Sequence, residues 1–205
     1  MDRNNASSGT PAAKKHSIYF RNLLDTPYRE QVREWRNQEF VRENMFDNRP
    51  ISPENHAKYL KKLETSDTHK VFIMFYDDEP AAVMTMVHIP EENCIETGSY
   101  LVHEETRGRG YGAITGYARL EYVFAHMPDG KMKTEILAHN EKNLSLQKSF
   151  GCALEGTREA VKSDGSTELT YIYTMDHETW EERKPFLQRI IGRLIPLDQI
   201  TWIEE

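Results

Sequence analysis

Apolar positions in this chain follow two textures, period-two runs and stripes spaced by three and four, and their alternation sets out the elements. Ser17 to Leu24 (SIYFRNLL) predicts a first strand. From Thr26 to Phe40, Tyr28, Val32 and Trp35 recur on one side of a helical wheel, which predicts one helix across the stretch. Ser52 followed by Pro53 is an N-cap and first-turn pair, opening a second helix on which His56, Leu60 and Leu63 share a face. VFIMFY (71–76), the turn DDEP (77–80) and AAVMTMVHI (81–89) predict a strand hairpin, and IETGSYLV (95–102) a further strand. After a glycine-rich hexapeptide, Ala113, Tyr117, Leu120 and Phe124 recur at helical intervals. MKTEILAH (132–139) predicts a strand, and the segment from Asn140 a short helix stopped by Gly151. Two last strands, near 154–162 and 167–175, are joined by Ser163-Asp164-Gly165.

This order leaves two appendages. Residues 1–15 are polar and small and predict a flexible leader before a domain over 16–176. The tail, 177–205, carries Trp180, Phe186, Leu187, Ile190, Ile191, Leu194, Trp202 and Ile203, too much apolar surface to stand in water. It is expected as a helix docked on the domain, with a homodimer contact as the alternative.

Composition excludes more than it names. The 205 residues hold 26 Lys plus Arg against 33 Asp plus Glu, for a formal charge of −7. That balance argues against a nucleic-acid partner, which would call for a basic face or arm. The first sixteen residues lack the apolar run of a signal peptide, and no window approaches a membrane span, so a cytoplasmic protein with no membrane partner is expected. Cys94 and Cys152 are the only cysteines and form no metal-ligand cluster, so no metal is expected.

The most informative local feature is Arg107-Gly108-Arg109-Gly110-Tyr111-Gly112, between a strand and a helix. Glycines let successive N–H groups turn into one concavity, the following helix adds the positive end of its dipole, and two arginines add charge. Such a loop suits a diphosphate, while a plain tight turn is the bland alternative. A Walker loop is excluded because Gly112 is followed by Ala113 and Ile114 instead of Lys and Ser or Thr. A dinucleotide fingerprint is disfavoured by the GxGxG spacing late in the chain.

RGRGYG fits R-x-x-G-x-G/A, the acetyl-coenzyme A signature of the GNAT acetyltransferase superfamily. Asn140-Glu141-Lys142-Asn143-Leu144, continuing to Ser149-Phe150-Gly151, resembles that family's second segment, and the likeness covers roughly residues 17–176. It implies an α+β fold, an α/β/α sandwich with a mixed, mainly antiparallel sheet flanked by helices and here a C-terminal helical extension. It also implies that acetyl-CoA lies between the strands ending at Val102 and His139. Leu101 and Val102 would then pair with the pantetheine arm, residues 107 to 112 would hold the pyrophosphate, and Asn140 and Asn143 would flank the arm. Many relatives carry a tyrosine acid seven residues after the first Asn; here Gln147 stands there, and an amide delivers no proton at neutral pH. Tyr100, Glu96 and Gln147 are the catalytic candidates, with His88 a further possible base.

WRN (35–37) with Val41-Arg42, Met45, Ile51-Ser52 and His56 resembles acetyltransferases of nucleotide-linked amino sugars, among them those acting on a UDP-4-amino sugar for pseudaminic acid. That implies a small-molecule amine acceptor, with Arg36 pairing a phosphate and Asn37 and His56 bonding sugar or base. Relatives that acetylate protein N-termini, polyamines or aminoglycosides remain the rival, and a weakly catalytic acyl-CoA-binding protein a third reading.

Overall fold

The computed structural model describes residues 16–163 and 165–203, so the expected leader and Asp164 lie outside the described residues. Eight strands, β1 (Ile18–Asn22), β2 (His69–Tyr76), β3 (Glu79–Ile89), β4 (Cys94–Leu101), β5 (Lys131–Leu137), β6 (Ala153–Val161), β7 (Thr167–Asp176) and β8 (Ile200–Ile203), form one sheet in the order β6-β7-β5-β4-β3-β2-β1-β8. Only β4/β5 and β1/β8 pair in parallel; the other pairs are antiparallel. The helices are α1 (Gln31–Asn37), α2 (Glu39–Arg42), α3 (Pro53–Glu64), α4 (Tyr111–His126), α5 (Glu141–Phe150) and α6 (His177–Ile191). This is a mixed sheet flanked by helices, an α+β fold.

Alternation along the strands builds two cores. On one face Val71, Ile73, Phe75, Val83 and Val102 pack with Val32 and Trp35 of α1 and Leu60 and Leu63 of α3. On the other, Phe20, Met74, Met84 and Met132 pack with Ile114, Leu120 and Val123 of α4, Phe150 of α5, and Trp180, Leu187 and Ile191 of α6. Local chemistry starts these helices where the sequence signals them. Ser52 Oγ accepts from the Asn55 N–H (3.2 Å) at α3, and Asp176 Oδ1 accepts from the Thr179 N–H (2.8 Å) at α6.

Two expectations need correction. The single helix expected over 26–40 is broken at Gln38, whose backbone is extended (φ −60°, ψ 140°). Its side chain explains the break: Nε2 donates to the Val102 carbonyl (2.8 Å) and to that of Trp35 (3.2 Å). Arg42 covers a carbonyl freed there, Nε donating to Asn37 O (3.0 Å), and its Nη1 donates to Asn48 O (3.1 Å) in the loop that follows α2. The tail is also not wholly helical. After α6 packs on α4, residues Ile200–Ile203 run parallel to β1, and Trp202 stacks on Phe20 (4.5 Å between centroids) and meets Phe72 edge-on (5.0 Å). Among the described residues no helix is long and apolar enough to cross a membrane.

Candidate active site

The parallel pair β4/β5 is joined only at Cys94–Lys131, Ile95–Met132 and Glu96–Lys133, after which the strands part. On the β3 side β4 stays paired through Leu101–Ala82, and the Val102 N–H then donates to Ala81 O (3.0 Å). In an antiparallel ladder alternate residues face opposite neighbours, so the N–H and C=O of Leu101 turn away from β3, into the gap. Val102 does not share that role. Its N–H is held by Ala81 and its carbonyl accepts from Gln38, so of the two expected cofactor-pairing residues only Leu101 presents its main chain to the gap.

At the open end of β4 stands the glycine loop. Gly108 and Gly110 have φ +84° and +86°, a conformation that side chains rarely adopt. Gly110 begins α4 without a side-chain cap, leaving the first N–H groups of a sixteen-residue helix facing out beside Tyr111 and Gly112. A Cβ at Gly108 or Gly112 would meet nothing within 4 Å, whereas one at Gly110 would lie 2.8 Å from Leu194 Cδ1. Tyr111 is buried, its ring 5.2 Å from that of Tyr76. Arg107 is not a free cation: it pairs with Glu104 (2.8 Å) and Glu43 (3.5 Å) and lies over the Phe40 ring, tying the loop to α2. Charge for an anion at this loop comes from the exposed Arg109 and the helix terminus.

Across the gap, Asn140 caps α5, its Oδ1 accepting from the Asn143 N–H (3.2 Å). Gln147 is fully buried (0% exposed) and inward-facing. Its Oε1 accepts from Arg119 Nη2 (2.7 Å) and Cys152 Sγ (3.4 Å), and its Nε2 donates to Asn143 Oδ1 (2.8 Å). Gln147 therefore does not stand at the gap as a donor; it holds Asn143. Burial pushes the Cys152 thiol up to about 11.

On the opposite face of the sheet Glu96, Gly98 and Tyr100 alternate along β4, and Lys133 and Glu135 along β5. Lys133 Nζ lies 2.8 Å from Glu92, 3.6 Å from Glu96 and 3.9 Å from Glu135, and Glu135 also pairs with Arg158. Burial, then the nearby Glu135, raises the Glu96 carboxyl above its ordinary value, and Lys133 opposes them. Burial also keeps the Tyr100 phenol protonated far above its usual range, with Arg36 opposing. Arg36 donates Nη2 to Asp47 O (2.9 Å), while its buried Nη1 has no hydrogen-bond partner among the described residues. A cavity of about 340 Å³ opens beside this face, lined by Glu39, Arg42, Glu43, Asn48, His139 and Lys162.

Other expected residues lie elsewhere. Asn37 grips the main chain of Ile51 with both ends of its amide (2.9 and 2.7 Å), and His56, 2% exposed, bonds Arg29 O (2.7 Å). Both hold the loop and α3 in place. His88 flanks a separate depression with Met86, Ile95 and Tyr122, at the far end of the sheet. Sequence reasoning missed Gln38, Arg119, Lys133 and Glu135. Lys133 and Glu135 carried a signal: with Lys131 they make three charges at alternate positions of one strand. Among the described residues no group of three or more His, Cys, Asp or Glu is placed to hold a metal.

A family model described as an acetyltransferase (GNAT) domain matches residues 29–160. The acetyltransferase PseH of Campylobacter jejuni subsp. jejuni is 28% identical over 117 residues, 57% of this chain and 71% of that protein. The crystal structure of Campylobacter jejuni N-acetyltransferase PseH is similar with a TM-score of 0.58 at 19% identity, covering 78% of this chain and 97% of that one. Spermidine N-acetyltransferase from Vibrio cholerae, solved in complex with CoA and spermine, gives a TM-score of 0.72 at 14% identity, covering 80% and 98%. These two structural likenesses speak for the fold.

Proposed function

The chain belongs to the GNAT acetyltransferase family, and from that premise we propose that it moves the acetyl group of acetyl-CoA to a primary amine on a nucleotide-linked sugar. The observation that carries the coenzyme half is the parting of β4 and β5 beyond Glu96 and Lys133, beside the uncapped start of α4. The residues fit the group: Gly108 and Gly112 open on empty space where a Cβ would stand, and Tyr111 and Gly112 offer helix N-terminal N–H groups to a diphosphate. When bound, acetyl-CoA supplies a thioester open to direct attack by an amine.

The chain's own residues divide the remaining work. Leu101 presents its N–H and C=O to the gap as an extended segment would need. Glu96, its carboxyl raised, serves as base for the attacking amine. Four residues of strand put it about 13 Å from Tyr100, so the proton reaches Glu96 through water along this face, past the Thr85 hydroxyl that packs against Gly98. Tyr100 keeps its phenolic proton as a hydrogen-bond donor on the same face.

For the acceptor, the supporting observation is Arg36. A half-buried guanidinium whose buried Nη1 has no hydrogen-bond partner among the described residues gains by turning toward a phosphate or other anion of the acceptor, since a buried donor left unpaired costs about 1–3 kcal/mol. A polyamine would bring further positive charge to this cation, which weighs against that rival. The 28% identity to the acetyltransferase PseH supports acetyl transfer, and the resemblance of residues 35–56 to acetyltransferases of nucleotide-linked amino sugars supports the sugar reading. The test is Arg36→Ala, measured by acetyl transfer to a UDP-4-amino sugar. The Michaelis constant for the amine rises at least tenfold and that for acetyl-CoA stays within about twofold, a tenfold change corresponding to about 1.4 kcal/mol. A change confined to acetyl-CoA refutes the placement of the acceptor.

A further inference from the structure

Between α4 and α5 lies a buried polar chain that the reaction as described above does not use. Arg119 is 3% exposed, and among the described residues no carboxylate pairs with it; its Nη2 meets Gln147 Oε1 and its Nε meets no acceptor. Burying a guanidinium without a counter-charge is expensive. The chemistry of the chain gives it a direction. Arg has five donors and no acceptor, so the atom of Gln147 that faces Arg119 must be oxygen. The Gln147 nitrogen then faces Asn143, 2.8 Å away, and Asn143 must offer its own oxygen in return. The Cys152 thiol, 3.4 Å from the same Gln147 oxygen, reinforces that orientation. With Oδ1 held inward, Asn143 Nδ2 points elsewhere. Asn143 is half-buried on the first turn of α5, just past the open end of β5.

We propose that Arg119 is a positioning residue that fixes the polarity of two amides in series, Gln147 and then Asn143, so that Asn143 presents an N–H donor, never a carbonyl, to the groove between β4 and β5. The acceptor it meets is a carbonyl or sulfur of the acyl-CoA arm; to that extent the inference rests on the reading of the groove given above. The donor stands in for the phenol many relatives carry at the position of Gln147. It gives a hydrogen bond without giving up a proton.

Stability and affinity separate this role from a merely structural one. In Gln147→Glu the carboxylate pairs with Arg119 and has no N–H for Asn143, so the Asn143 amide turns over and shows its oxygen to the groove. That variant melts at or above the wild-type temperature, yet binds acetyl-CoA at least tenfold more weakly by calorimetry. Gln147→Met leaves Arg119 unpaired and melts lower, but Asn143 is free to turn either way and affinity falls less. Asn143→Asp keeps the acceptor for Gln147 and removes the outward donor, and it matches Gln147→Glu in affinity. Affinity that tracks melting temperature, with Gln147→Met the weaker binder, overturns the proposal, as does wild-type affinity in Gln147→Glu. A wild-type protein that binds no acetyl-CoA overturns the reading of the groove instead.

Discussion

At the scale of single residues, the difference between legible and illegible positions is whether a residue's conformation or its distant partner decides its role. Gly108 and Gly110 were legible because positive φ is a local demand that glycine alone meets easily. Asn37 and His56 were not, because each serves a main-chain carbonyl, 14 and 27 residues away, that no short pattern reveals. Gly112 offers a clean probe of the glycine loop: its φ is ordinary and a Cβ there meets open space. In Gly112→Glu the acid sits favourably on the first turn of α4, worth about 0.3–1 kcal/mol, so the melting temperature holds or rises. Acetyl-CoA affinity, measured by calorimetry, falls at least tenfold because charge and bulk enter the diphosphate site. Glu96 gives a second test. It accepts a proton only when ionised, so kcat/KM drops as pH falls through its pKa, and burial with Glu135 places that limb above the usual carboxylate value of about 4.3. Glu135→Gln removes a charge that raises the pKa and moves the limb to lower pH. Lys133→Met removes one that lowers it and moves the limb to higher pH. Rate profiles in which the two variants shift together contradict the assignment.

Elements were read well where hydrophobic period and caps agreed, as for α3 behind Ser52 and Pro53 or α5 ahead of Gly151. They were misread where a long-range bond overrode the period. The stripe Tyr28, Val32, Trp35 continues toward Phe40, but the hydrogen bond from Gln38 to the Val102 carbonyl, across 64 residues, ends the helix. The parting of β4 from β5 was expected from resemblance alone, since nothing in either strand's own sequence reports on its neighbour. The strand β8 was missed because its four residues sit in a tail whose apolar content reads equally well as helix. Trp202 anchors that strand, its ring 4.5 Å from Phe20, 5.0 Å from Phe72 and 4.8 Å from Tyr122. Trp202→Ala should lower stability by about 2–3 kcal/mol, less than a fully buried aromatic loses because the ring is partly exposed. Urea unfolding checks this, and a loss below about 0.5 kcal/mol would show that β8 is not held by the ring.

For the molecule as a whole, the sheet divides the labour: α4, α5 and the glycine loop line one side of the gap, and Arg36, Tyr100 and Glu96 look out on the other. The excess of seven acids argued against nucleic acid but is silent about a small phosphorylated ligand, because it is a sum over dispersed side chains. Arg109, Arg36 and the helix terminus concentrate positive potential locally, which a net count either dilutes or omits. The fold class and the turn geometry of the glycine loop were therefore legible, while the proposed acceptor face, drawn from β4, β5 and α1, required the register that only folding supplies. The central claim is a choice of amine, and it is tested most directly by thiol release from acetyl-CoA with a panel of acceptors and the purified protein. The expected result is turnover with a UDP-4-amino sugar and none with spermidine or N-terminal peptides. Preference for spermidine or a peptide, or tight coenzyme binding with no turnover of any amine, would contradict it.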